Sequence, residues 1–211
     1  MQARSERTRH RLLRAAADLI DRYGYANATL GQIAAAAGLT KGALYFHFAS
    51  KDGLADAVQE QGRTMLRTFV RGQREAGVPP VQVLIDLTHW LARALHEEPL
   101  IRAGFRITYE CADRPVADFH QVWIDEVRHL LDLAEAAGET RVRAGDGGAE
   151  ALLSALLCGI GDLAGTSPRH ALRIRMDALW DLLLPVLVPP GETGRYRTRP
   201  PGVPRPAEAA A

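Results

Sequence analysis

The sequence predicts an all-α protein in two parts, a small N-terminal three-helix unit and a larger C-terminal helical domain. Three observations carry this reading. Period-two strand patterns are nearly absent over the 211 residues, whereas apolar residues recur at helical spacing throughout. Helix-start residues are followed, at helical lengths, by glycine stops. Charge divides the chain near residue 51. Eight bases (Arg4, Arg7, Arg9, Arg11, Arg14, Arg22, Lys41, Lys51) stand there against three acids (Glu6, Asp18, Asp21). That is a net of +5, which leaves −4 for the rest of a chain of net charge +1. A basic quarter on a mildly acidic body points to a polyanionic partner for that quarter.

The first helix is expected over residues 5–23. Leu12, Leu13, Ala16, Leu19, Ile20 and Tyr23 form its apolar stripe, most arginines take the other side, and Gly24 ends it. Thr29 followed by Gln32 fits a capping box, in which each side chain satisfies a backbone N–H left free at a helix start. The second helix then spans residues 30–37 and stops at Gly38. Thr40 caps a third over residues 41–46, and Ser50 caps a fourth that continues to about residue 72.

A short helix, a glycine turn and a second short helix, supported by a longer one in front, make a helix-turn-helix unit. Its centre, GLTKGALYFHFASKDGL over residues 38–54, gathers rings and lysines in a way that neither a core helix nor a loop requires. Gly42 and Ala43 are small enough to let a phosphate or base edge approach beside Lys41. Tyr45 and His47 offer hydrogen-bond donors, and Lys51 offers a point charge at the next helix start. With Thr29 and Thr40, these are the candidate DNA-contacting residues. Leu44, Phe46 and Phe48 are read as core.

The remaining helices are expected at 80–98, 99–112, 116–137, 149–166 and 168–188. Val83, Leu84, Leu87, Leu91 and Leu95 line the inner face of the first of these. The last two carry wide apolar stripes: Leu152, Leu153, Leu156, Leu157 and Ile160, then Met176, Leu179, Trp180, Leu183 and Leu184. Paired with copies from a second subunit, they would make a four-helix homodimer interface. The domain limits implied are 1–50, 51–188 and a Pro/Arg-rich tail at 189–211, too poor in apolar residues to offset the entropy of ordering and therefore expected to be flexible.

Several classes are excluded. Cys111 and Cys158 lack CxxC or Cys/His spacing and are read as buried free thiols. His89 and His96 lack a carboxylate or cysteine at metal-ligand spacing. HExxH, GxSxG, GxxxxGK[ST] and GxGxxG are all missing, so the chain is read as a non-enzyme without metal or cofactor. Residues 1–14 are polar and arginine-rich, unlike a signal peptide. The apolar run ALLSALLCGIG at 151–161 is too short to span a bilayer. A cytoplasmic protein is expected.

TLGQIAAAAGLTKGALYFHFASKDGLADAV, residues 29–58, resembles the DNA-binding domain of TetR-type bacterial repressors. KGALYFHF followed by SK-x-x-L is similar to the receptors for γ-butyrolactone signals of filamentous soil bacteria. IRAGFRI at 101–107 and FHQVWIDEVRHLLDLAEAAGE at 119–139 resemble further segments of those receptors. The resemblance implies a homodimer on a palindromic double-stranded DNA operator, with an effector pocket in the C-terminal domain. It also implies that Trp123 contacts the effector, a role that spacing alone leaves open against a place in the core. Trp90, Phe105 and Ile107 would extend the apolar wall, and Gln61 or Gln121 would anchor a carbonyl or hydroxyl. Two positions depart from the receptor pattern: Leu156 stands where a hydroxyl side chain is usual, and Gly62 where a glutamine is. The effector is therefore left open among a butyrolactone, a butenolide, a furan, and an antibiotic or its precursor. A regulator of an efflux gene, or a helical small-molecule carrier without DNA function, are the competing readings.

Overall fold

The computed structural model describes residues 2–111, 119–166 and 169–200. Among them the chain forms α1 (Gln2–Tyr23), α2 (Leu30–Ala36), α3 (Lys41–His47), α4 (Lys51–Glu75), α5 (Pro80–Glu97), α6 (Pro99–Glu110), α7 (Phe119–Ala136), α8 (Gly148–Thr166) and α9 (Arg169–Leu187). Single 3-10 turns lie at Ala144–Asp146 and Thr193–Arg195. Each helix limit falls within one turn of the position expected from sequence, and the described residues contain no strand.

Two compact units result. The first comprises Met1–Thr68 and Ala94–Val122. Its helix starts are fixed by the expected caps. Thr29 Oγ1 accepts from Gln32 N at 3.3 Å while Gln32 Oε1 accepts from Thr29 N at 3.0 Å, and Thr40 Oγ1 accepts from Ala43 N at 3.1 Å. Gly38, at φ +63°, supplies the left-handed residue that ends α2 and turns the chain toward α3. Leu12, Leu13, Ala16 and Ile20 of α1 meet Ile33, Leu44, Phe48, Leu54 and Val58 in one core. Tyr23, placed in that stripe by periodicity, is instead exposed at the end of α1.

The same core contains Leu100, Ala103 and Ile107 of α6. Arg102 Nε donates to the Asp21 carboxylate at 2.7 Å, and an Arg106 guanidinium N–H donates to the Asp21 carbonyl at 2.5 Å. These contacts fasten α6 to α1. The first unit thus continues past residue 50 along α4 to Thr68 and takes in α6, beyond the limit of 50 expected from sequence.

The second unit comprises Phe69–Arg93 and Trp123–Ala211, of which residues 167–168 and 201–211 lie outside those described. Val83, Leu87, Leu91, Val127, Leu130, Leu153, Leu157, Ile160, Met176 and Leu184 are buried in it. Trp180 is fully buried, and its Nε1 donates to Thr88 Oγ1 at 2.7 Å, which satisfies the indole N–H. Arg128 of α7 grips Glu150 of α8 through two hydrogen bonds of 2.7 and 2.9 Å.

Three sequence expectations are corrected here. The tail is not free from Pro189 onward: Gln82 pairs with both backbone groups of Arg197, and the His89 ring contacts the Thr198 carbonyl at 2.8 Å. Polar recognition of backbone, together with burial of Tyr196, holds a segment otherwise poor in apolar residues. Cys158 is exposed on α8, not buried. Leu152 is exposed and Leu156 half-buried, so the inner stripe of α8 is Leu153, Leu157 and Ile160.

Candidate nucleic-acid interface

α3 has one buried side chain, Leu44, whose seating in the core fixes which way the other residues point. Lys41, Gly42, Tyr45 and Phe46 are exposed, and Ala43 and His47 are half-buried. Residues 41 and 45, and 42 and 46, are one turn apart, so these four form a continuous outer surface. Tyr45 is 54% exposed and Phe46 82%. Phe46 was expected in the core. It lies two residues from Leu44, about 200° around the helix, and the ring that does close the core is Phe48.

Gly42 has no structural reason to be glycine. Its φ is not in the left-handed region, and a β-carbon there would meet only Thr40 Oγ1, at 3.9 Å. Glycine inside a helix costs about 1 kcal/mol relative to alanine. Nothing among the described residues offsets that cost. Gly31 of α2, by contrast, makes room for its neighbour: a β-carbon there would lie 2.8 Å from Lys41 Cε.

The two lysines differ. Among the described residues Lys41 Nζ has no hydrogen-bond or ion-pair partner. Lys51 Nζ sits 4.4 Å from the centre of the Tyr25 ring and donates to the Ala26 carbonyl at 3.0 Å, so it braces the turn between α1 and α2. Tyr25 itself donates its hydroxyl to Asp52. The hydroxyls of Thr29 and Thr40 hold their helix caps while both residues remain exposed. The Arg9 guanidinium lies 5.3 Å over the Phe48 ring, next to the end of α3. An open groove of about 510 Å³ between α1 and the end of α2 is lined by Arg11, Arg14 and Arg22 with one acid, Asp18, which extends the basic character of this unit.

The residues expected around an effector are divided between the two units. Phe69, Trp90 and Trp123, in the second unit, form a stack with ring centres 5.3 and 5.8 Å apart, and Trp123 is 1% exposed. Leu156 also belongs to that unit. Ile107 is part of the core of the first unit, and Phe105 packs there on the edges of Phe119 and His120 at 5.1 and 4.9 Å. Gln121 is exposed and Gln61 half-buried. The buried glutamine of α4 is Gln59, whose Nε2 donates to Thr108 Oγ1 at 3.0 Å and the Gly104 carbonyl at 3.3 Å.

Residues 12–58 match the family model for bacterial regulatory proteins of the tetR family. Over 195 residues the chain is 32% identical to the A-factor receptor protein of Streptomyces griseus, covering 90% of this chain and 67% of that one. The chain belongs to the TetR family. Among solved structures, a γ-butyrolactone receptor described as ArpA-like superposes with a TM-score of 0.76 at 31% identity, covering 92% of this chain and 94% of the other. CprB of Streptomyces coelicolor, in complex with its operator sequence, gives 0.75 at 31% identity over 91% and 94%.

As a TetR-family protein the chain is a transcriptional regulator and not an enzyme. The matched segment runs from Leu12, the first buried leucine of α1, to Val58 in α4, both members of one core. Among the described residues no cluster of His, Cys, Asp or Glu is arranged to hold a metal, and no helix is long and apolar enough to cross a membrane. Sequence reasoning missed Phe46 on the outer surface and Gln59 inside. Leu44 and Phe48 at i and i+4 were the available signal, because once they share the inner side Phe46 must face out.

Proposed function

We propose that the chain is a cytoplasmic repressor that binds a palindromic duplex operator as a homodimer and is released by a small, mostly apolar effector. The observation that carries the DNA reading is the outer surface of α3, where Lys41, without a polar partner among the described residues, stands beside a glycine with room around it for a β-carbon. Two copies of α3 would enter successive major grooves about 34 Å apart. Lys41 and Gly42 lie nearest base edges, with Ala43 and His47 behind them, and Tyr45, Thr29 and Thr40 meet phosphates. Lys51 acts through the turn it braces and adds charge near the backbone.

For the dimer, α8 and α9 expose Leu152, Leu182 and Val186, with Leu182 72% exposed. A second copy would cover such residues. For the effector, the Phe69–Trp90–Trp123 stack supports an apolar ring ligand. The likeness to the A-factor receptor and γ-butyrolactone receptors favours a butyrolactone, with butenolides and furans as close chemical relatives. Release follows if the effector binds the form that fits DNA less well, by the difference in its affinity for the two forms.

A gel-shift titration with duplex from upstream of the protein's own gene tests both halves. Wild type should bind and be released by a γ-butyrolactone. Trp123→Ala should bind and resist release. Absence of any salt-sensitive binding would remove the DNA assignment, and normal release of Trp123→Ala would remove the pocket assignment.

A further inference from the structure

We propose that Phe46 reads the methyl group of thymine in the major groove and so fixes part of the operator sequence. The inference rests on the reading of α3 as the groove-entering helix and adds to it a residue that determines sequence. Phe46 is the most exposed of the large apolar side chains among the described residues. Its ring makes a single close aromatic contact, edge-on to His47 at 5.3 Å, and projects from the same surface as Lys41 and Tyr45. Water gives such a ring no stabilisation, so its place on the most basic part of the chain calls for an apolar partner within a polyanion.

Duplex DNA offers one such partner. In the major groove A, G and C present hydrogen-bonding atoms, whereas thymine alone adds a methyl group at C5. A phenyl ring has no donor or acceptor and discriminates only through that methyl. Gly42 completes the geometry. It lies one turn before Phe46 on the same side, and with no side chain there the base-pair edge can come against the helix and meet the ring one turn further on.

The test uses the full chain. Duplexes retained by wild type are selected from a random-sequence pool by gel shift, and each thymine of the selected half-site is then replaced in turn by deoxyuridine. That exchange keeps the pairing and removes only the methyl. At one or two positions per half-site wild-type affinity should fall about fourfold, the worth of burying one methyl group. Phe46→Ala should bind the thymine and uracil duplexes equally at those positions, and Phe46→Leu should keep part of the difference. The proposal is overturned if wild type is indifferent to every exchange, or if Phe46→Ala keeps the full thymine preference. It is equally overturned if Phe46→Ala changes the oligomeric state and not the thymine preference, which would make the ring a protein contact. Should wild type retain no duplex at all, the DNA reading itself falls, a result distinct from loss of methyl sensitivity in a protein that still binds.

Discussion

A β-carbon on Gly62 would lie 2.7 Å from Cζ of Phe119, so the aromatic ring of α7 occupies the space that a side chain on α4 would fill. Gly104 of α6 bounds the ring on another side, where a β-carbon would lie 2.9 Å from Phe119 Cε1. The start of α7 is held as well, because Phe119 N donates to Thr108 Oγ1 at 3.3 Å. From sequence, Gly62 stood out as a lost polar position of an effector pocket. In the fold its smallness is what lets three helices meet around one ring.

Gly62→Ala should therefore destabilise the protein by about 1–3 kcal/mol through overpacking, even though alanine is the better helix former. Phe119→Ala should cost about 3–5 kcal/mol by leaving a cavity. In the Phe119→Ala background the sign reverses, and Gly62→Ala should stabilise by up to about 1 kcal/mol from helix propensity alone. Urea unfolding of the four proteins measures the cycle. Equal effects of Gly62→Ala in both backgrounds would show that the two residues do not touch.

Lys41 and Lys51 are the only lysines in the chain, and their surroundings predict different losses. Among the described residues Lys41 Nζ has no hydrogen-bond or ion-pair partner, so Lys41→Ala should leave stability nearly unchanged. It should also lower the slope of log affinity against log salt by about one. Lys51→Ala removes a charged hydrogen bond and a ring contact and should cost about 1–3 kcal/mol of stability. Gel shifts at three salt concentrations, with thermal melts alongside, separate the two. A stable Lys51→Ala would contradict its role at Tyr25 and Ala26.

How far the sequence reached depended on whether the signal was local. The Thr29–Gln32 box, the Thr40 cap and the glycine stops act within a few residues, and the helices they bound fall where they were expected. Periodicity identified apolar faces but not what each one meets. Ile107 therefore looked like pocket wall, although it packs with α1, and Gln61 was chosen where Gln59 is the buried residue. Phe46 and Phe48 look alike in composition, and only the angle around a seven-residue helix separates core from surface. The fastening of α6 by Asp21, some eighty residues away in the chain, left no local trace.

Glu110 gives the fold a specific acid sensitivity. Burial alone would raise its pKa, but hydrogen bonds from Arg106, Tyr25 N and Ala26 N outweigh that and hold the carboxyl below its usual range. A carboxyl with a folded pKa below its unfolded one stabilises the protein above the unfolded pKa, near 4.5, and loses that contribution as pH falls through the folded value. Glu110→Gln should be less stable than wild type at pH 7, and the gap should narrow as pH falls below the unfolded pKa. Urea midpoints from pH 7 down to pH 3.5 supply the measurement. A gap that stayed constant with pH would mean that the carboxylate charge contributes nothing.

Residues 189–200 of the tail make the last prediction, because sequence alone assigns them nothing to lose. Gln82 is buried on α5, and its side-chain amide pairs with Arg197 N and O at 2.8 and 3.0 Å, as a neighbouring strand would. Thr198 Oγ1 donates to Asp181 at 2.7 Å, and Arg199 lies 3.3 Å from both the buried Asp177 and Asp181. Ending the chain at Pro190 would remove these partners and leave the Gln82 amide and the Asp177 carboxylate less well satisfied. At about 0.5–1.5 kcal/mol per neutral hydrogen bond and 1.5–3 for a charged one, less the entropy regained by the chain, the loss should be about 2–4 kcal/mol. Gln82→Ala should cost about 1–2 kcal/mol in the full chain and less in the shortened one, where Arg197 is gone and the bond from Gln82 Nε2 to Asp86 Oδ1 at 3.0 Å remains. Thermal melts of the four proteins decide it: a shortened chain as stable as the full one would mean that the strap lies on the surface without holding it.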